Sequence, residues 1–241
     1  MSGHSKWSKI KHSKGAVDAK KSAMFTKFGH AITLAVREGG GDPEANFKLR
    51  LSMERAKKAN MPRNNIDRAI KRGMGEVAGE RIEEVIYEIF GPEGSVILIE
   101  ALTDNKNRTV GGLRQIFNKY GGRLGEHNSV LRMFERKGII RIVDFKSKIS
   151  NLDDWQLKII DLGAEDIKIE EDKLAIYINP EDLEKIKKEI EQEKVEIDYA
   201  EIEWFAKDLV KISESSRKKI NAIFNELDNN SDINNYYTNI E

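Results

Sequence analysis

Four lysines, Lys6, Lys9, Lys11 and Lys14, are interleaved with His4, Trp7 and His12 in an opening segment, residues 1–14, that holds no Asp or Glu. Ammonium groups neutralise phosphates and an indole face stacks on a base, a contact worth roughly 1–3 kcal/mol, so these types at this spacing suit a nucleic acid. The competing reading is a solvated, solubilising tail, against which the lone Trp among the lysines argues. Eleven further cations, Lys20, Lys21, Lys27, Arg37, Arg50, Lys57, Lys58, Arg63, Arg68, Lys71 and Arg72, are expected to continue the arm as a basic face, part of it ordinary helix surface. A second candidate phosphate contact is the loop Asn105, Lys106, Asn107 and Arg108, ahead of a helix whose first N–H groups and dipole favour an anion. The plainer reading there is that an Asn caps the helix.

Other chemistries find little support. There is no cysteine, which excludes disulfides, thiolate nucleophiles and Cys-ligated metals. The phosphate-binding P-loop, the dinucleotide glycine fingerprint, the serine elbow and H-E-x-x-H are all missing. Histidines stand only at 4, 12, 30 and 127, none paired at ligand spacing. Ser2-Gly3-His4 would offer Cu(II) or Ni(II) a square-planar set only after loss of Met1. The expectation is a protein without catalytic residues, metal, cofactor or small-molecule substrate. No apolar run nears the ~20 residues of a membrane span, so no membrane partner and a cytoplasmic location are expected.

The charge is divided unevenly along the chain. Residues 1–75 carry 17 Lys and Arg against 6 Asp and Glu; of 41 and 41 in all, 24 and 35 remain for residues 76–241. A head of +11 on a body of −11 is the arrangement of a chain that meets a polyanion through one end.

Positioning falls to three expected domains behind a flexible basic arm, residues 1–17. In residues 18–75, Phe25, Phe28, Ile32 and Val36 recur on one helical face, and Gly39-Gly-Gly41 ends that helix. Asp42 is the expected N-cap of a second helix running to about Asn60, and Pro62 starts a third with Gly73 as its left-handed cap. The period then changes. Strands over Val85–Phe90 and Ser95–Thr103, a helix over Arg108–Tyr120 and a strand over Ser129–Glu135 read as ββαβ. Residues 137–206 read as a second α+β unit, inserted so that a terminal helix, Ser213–Leu227, and strand, Ile233–Thr238, complete the 76–136 unit.

Ser2-Gly-His-Ser-Lys-Trp-Ser-Lys-Ile-Lys-His12, Gly39-Gly-Gly-Asp-Pro43, Ala59-Asn-Met-Pro62, Ala69-Ile-Lys-Arg-Gly73, Ala101-Leu-Thr-Asp-Asn-Lys-Asn-Arg-Thr109 and Met133-Phe-Glu-Arg-Lys-Gly138 together resemble the YebC family, in order and spacing. The resemblance implies an α+β fold of three domains, one helical and two ferredoxin-like, and no established enzymatic activity. It implies a DNA-binding regulator of transcription or, alternatively, a ribosome-associated translation factor that contacts ribosomal or transfer RNA and relieves stalling at proline-rich stretches. Two positions depart from the family pattern. Met74 stands where a hydroxyl residue is usual, and Arg132 where a Trp is.

Overall fold

The computed structural model describes residues 18–77, 81–170 and 173–241. Packing separates two units, one made by the chain up to Met133 together with Ala206–Glu241, the other by Phe134–Phe205.

The first unit opens with α1 (Asp18–Gly39), α2 (Phe47–Lys58) and α3 (Arg63–Gly73). Phe28, Ile32, Val36, Leu49, Ala56, Ile66 and Ala69 close a small apolar core among them. Two boundaries differ from the expectation. The N-cap of α2 is Asn46, not Asp42, whose carboxylate and carbonyl instead accept from the Glu44 and Asn46 N–H groups in a turn. Asn46 wins because it is buried with three partners: Oδ1 accepts from Leu49 N–H, and Nδ2 donates at 2.8 Å to the carbonyls of both Ala35 and Gly40. One side chain thus caps α2 and welds it to the end of α1. Gly73 likewise is no left-handed cap; that conformation belongs to Gly75, at φ +81°. At Gly73, α3 crosses α1 so closely that a Cβ would lie 2.5 Å from the Val36 Cβ.

Next come β1 (Glu83–Phe90), β2 (Val96–Thr103), α4 (Lys106–Tyr120) and a short β3 (Arg123–Leu124). β1 and β2 pair antiparallel from Glu83↔Thr103 to Phe90↔Val96. The strand expected at Ser129–Glu135 does not form as drawn. Glu88, buried in β1, accepts from the N–H groups of Asn128, Val130 and Leu131 at 2.6, 2.5 and 2.8 Å, so those amides turn towards a carboxylate instead of a neighbouring strand.

From Phe134 the chain builds the second unit: β4 (Phe134–Val143), α5 (Phe145–Lys148), α6 (Leu152–Asp161), β5 (Ala164–Glu170), β6 (Lys173–Ile178), α7 (Leu183–Gln192) and β7 (Tyr199–Ala206). Its sheet runs β5-β6-β4-β7. Ile140, Ile142, Leu174, Ile176, Trp155, Ile159, Ile186 and Ile190 are among the buried residues of its sheet and helices.

The chain then returns to the first unit as α8 (Glu214–Asp228) and β8 (Ile233–Thr238). β8 pairs antiparallel with β2, giving the order β3-β1-β2-β8, and α4 and α8 share one core through Leu113, Phe117, Ile220, Ile223 and Leu227. Both sheets are antiparallel and the helices lie N-terminally or against them, so the α+β class stands. The helical part rests on β2, where Leu34 of α1 packs with Ile82 and Leu102.

Candidate nucleic-acid interface

Helical spacing gathers the cations that matter. Lys21, Phe25, Gly29 and Thr33 follow one another every four residues on α1, and Asn65, Arg68 and Arg72 line up at three and seven on α3, so both rows face one seam. Between them lies a groove of about 520 Å³. Its floor is the buried Thr33, Met61 and Ala69; Lys21, Asn65 and Arg68 are exposed at its rim. The seam is held by a buried bond from the Thr33 hydroxyl to the Ala69 carbonyl, 3.1 Å, and by the close crossing at Gly73.

The electrostatics of the groove come from three groups. Lys21 lies over the Phe25 ring, 5.7 Å from its centroid. The Arg72 Nε is shut off from solvent without a hydrogen-bond partner, an orphan donor of the kind that native folds rarely keep. His30 reaches across to β2, its Nδ1 3.0 Å from the Leu102 carbonyl. Because that oxygen can only accept, Nδ1 carries the proton and Nε2 is left as an acceptor. Burial holds the His30 imidazole below its usual 6.5, opposed by the Leu102 carbonyl and by Asp232 and Asp104, and reinforced by Arg72.

The sign of that shift gives a pH prediction. An unfolded chain takes up the His30 proton near pH 6.5 while the folded chain still resists it, so stability is complete above 6.5 and falls as pH drops through the folded value. Unfolding midpoints of the first unit, measured by hydrogen exchange from pH 7.5 downwards, are expected to decline less steeply in His30→Asn, whose amide can still donate to Leu102. Parallel profiles for the two proteins would remove His30 as the cause.

The remaining sequence candidates are distributed as follows. Lys6, Trp7, Lys9, Lys11, His12 and Lys14 lie outside the described residues, and Lys20 falls in the first turn of α1. Lys27 turns inward and donates to the Asp228 carbonyl at the end of α8; burial brings its ammonium down to about 8, against the pull of Asp228. Arg37 donates to the Ile82 carbonyl. Arg50 stacks on Phe47 and donates to the carbonyls of Pro43 and Glu44, holding the turn before α2. Lys57, Lys58, Arg63 and Lys71 are exposed, Arg63 lying 3.9 Å from Asp67. The structure therefore brings Lys21, Arg68 and Arg72 together and assigns Lys27, Arg37 and Arg50 to internal bonds.

In the second loop, Asn105 caps α4 by accepting from the Arg108 N–H, and Lys106 pairs with Glu83. The Arg108 guanidinium binds Asp104 at 2.8 Å and Asp232 at 2.9 Å, the Asp232 bond being the stronger reason that it holds its proton above the usual range. Asn107 is exposed. The loop's two cations are thus neutralised within the fold. Arg132, one of the departures, is exposed and offers its carbonyl to Lys207. Among the described residues no group of three His, Asp or Glu side chains could hold a metal, and no helix is long and apolar enough to cross a membrane.

Sequence reasoning did not single out Phe25, Gly29, His30 or Asn65 as site residues. Phe25 was readable as core, and it does pack partly on the helical core. The available signal was the four-residue repeat 21-25-29-33, a second stripe beside the apolar one.

These features define a basic helical module carried by an α+β body of two antiparallel sheets. The chain belongs to the TACO1/YebC family: residues 5–76 match the model of the TACO1/YebC protein N-terminal domain and residues 82–240 that of the second and third domain. It is 47% identical over 241 residues to a probable transcriptional regulatory protein of Thermotoga maritima, covering all of this chain and 94% of that one. A protein of the same description from Caldanaerobacter subterraneus subsp. tengcongensis is 46% identical over 241 residues, covering all of this chain and 98% of its own. The crystal structure of a conserved hypothetical protein from Aquifex aeolicus superposes with a TM-score of 0.84 at 41% identity, over 98% of this chain and 96% of that chain.

Proposed function

We propose that this chain is a non-enzymatic regulator of gene expression that binds nucleic acid through its helical domain. The observation that carries the reading is the convergence of Lys21, Arg68 and Arg72 on one groove, while the cations of the Asn105–Arg108 loop are spent on Glu83, Asp104 and Asp232. The surplus of +11 in residues 1–75 supplies the field that draws a polyanion to that end. The relatives' shared description, probable transcriptional regulatory protein, agrees with it.

Phosphate contacts reveal themselves by salt. Each one is expected to add about 0.7–0.9 to the slope of log affinity against log salt. Binding of the full chain to duplex DNA and to ribosomal RNA, measured across a salt series, should show a slope of several contacts. Arg68→Ala and a chain lacking residues 2–15 should each lower both the slope and the affinity. Unchanged slopes in both variants would overturn the reading, and stronger binding to ribosomal RNA than to duplex DNA would move the regulator from transcription to translation.

A further inference from the structure

Gly29 is a glycine that the fold does not require. It sits inside α1 in an ordinary helical conformation, where alanine would serve the helix better, and a Cβ there would meet nothing within 4 Å. Gly73 shows the contrast, since its Cβ would collide with Val36. What a side chain at position 29 would fill is the groove, between Phe25 one turn before it and Thr33 one turn after.

We propose that the groove between α1 and α3 takes one unpaired nucleotide of a single strand, RNA or DNA, with its base against Phe25 over Gly29 and its phosphate at Arg68 and Arg72. This rests on the nucleic-acid reading above and makes it specific. At about 520 Å³ the groove is in the range, roughly 300–1,000 Å³, of pockets that enclose small organic ligands. A base held in a duplex has its faces covered by its neighbours and shows only its edges; an unpaired base can leave the stack and lie against an aromatic ring. Arg72 Nε is an enclosed donor without a hydrogen-bond partner among the described residues, so no acceptor of the fold holds the guanidinium there, and its outer nitrogens are the ones that would meet the phosphate at the groove. Base edges carry both donors and acceptors. His30 Nε2 is free to accept because Nδ1 is committed to Leu102, and the Asn65 side chain, with no hydrogen bond in the fold among the described residues, can do either.

The test uses the full chain and one mixed sequence in four forms: single-stranded RNA, single-stranded DNA, blunt DNA duplex, and the free nucleoside 5′-monophosphate. Fluorescence anisotropy at fixed salt is expected to show either single strand bound about tenfold more tightly than the duplex, with the two single strands separating an RNA from a DNA partner. The monophosphate, displacing a labelled single strand only weakly, should show that the neighbouring phosphates matter. Gly29→Ala, whose Cβ meets nothing within 4 Å in the fold, should raise the unfolding temperature. Gly29→Leu should bring single-strand affinity down to the duplex level while leaving the duplex unaffected, with circular dichroism unchanged. Should Gly29→Leu misfold, Arg72→Gln, which adds no bulk, is expected to lower single-strand affinity by more than duplex affinity. Equal binding of single strands and duplex, or Gly29→Leu and Arg72→Gln that bind single strands as the parent does, overturns the groove assignment and leaves nucleic-acid binding standing. Failure of every oligonucleotide to bind overturns both.

Discussion

Asp232→Ala is expected to destabilise the first unit by about 3 kcal/mol, because one buried carboxylate there serves three partners. Asp232 accepts from the Arg108 guanidinium, from the Thr109 hydroxyl at 2.8 Å and from the Thr103 hydroxyl at 3.4 Å. It thereby joins the end of β2, the first turn of α4 and the approach to β8, and its carbonyl also accepts from Leu102 N–H. Removing a partner from a fully buried ion pair can cost roughly 5 kcal/mol. Arg108 is half-exposed, so water replaces part of what it loses, and the Thr109 hydroxyl can turn to the Asn105 carbonyl at 3.1 Å, whereas the buried Thr103 hydroxyl loses its acceptor. The two units must be followed separately. Trp155 and Trp204 both belong to the second unit, so hydrogen exchange across residues 82–124 and 214–238 is the measurement that isolates the first. Asp232→Asn, which keeps the shape and two hydrogen-bonding atoms, should fall between Ala and the parent; exchange rates equal to the parent's in both variants would show the network to be dispensable.

Where local periodicity decides an element, the sequence revealed it. The helix ending at Tyr120 coincides with the expectation because its apolar residues recur every three or four, and the strand Ile233–Thr238 does so on its Tyr-rich composition. Glycines and prolines marked ends almost as well: α1 stops at Gly39 and α3 follows Pro62. The failures occurred where a single side chain redirected the backbone over a distance. Asp42 has the composition of an N-cap, but Asn46 also reaches the carbonyls of Ala35 and Gly40, and no local pattern announces that. The segment Ser129–Glu135, apolar at Val130, Leu131, Met133 and Phe134, reads as a strand, yet Glu88 collects the amides of Asn128, Val130 and Leu131 from forty residues away.

The candidate site was legible by type and illegible by partner. A list of cations states where positive charge can be, and the fold decides which of it is already used. Lys27 and Arg108 look alike in sequence to Lys21 and Arg68; the first pair is bound to Asp228, Asp104 and Asp232, the second stands at a groove. Gly29 was invisible for the opposite reason, since its contribution is space between side chains rather than an interaction. Only the packing of α3 against α1 turns a stripe of mixed residues into walls around a shared opening.

Glu88→Ala should destabilise the first unit by about 4 kcal/mol, and should act on a loop thirty-eight residues and more away in sequence. A buried carboxylate accepting from three backbone N–H groups is charge-assisted in each bond, and each is worth roughly 1.5–3 kcal/mol with losses that do not simply add. Alanine leaves those three amides without an acceptor; water can reach Asn128, which is exposed, more easily than Val130, which is buried. The left-handed backbone at Asn128, φ +63°, is held by the same carboxylate and loses its reason to persist. Glu88→Gln is the sharper control. Its carbonyl oxygen can serve one or two of the amides, but its NH₂ then faces donors, so recovery should be partial. Amide exchange at residues 126–133 is expected to accelerate strongly in Glu88→Ala and less in Glu88→Gln, together with a lower unfolding midpoint. If Gln restored the parent's exchange completely, the negative charge would not be what folds this loop, and shape with one acceptor would suffice.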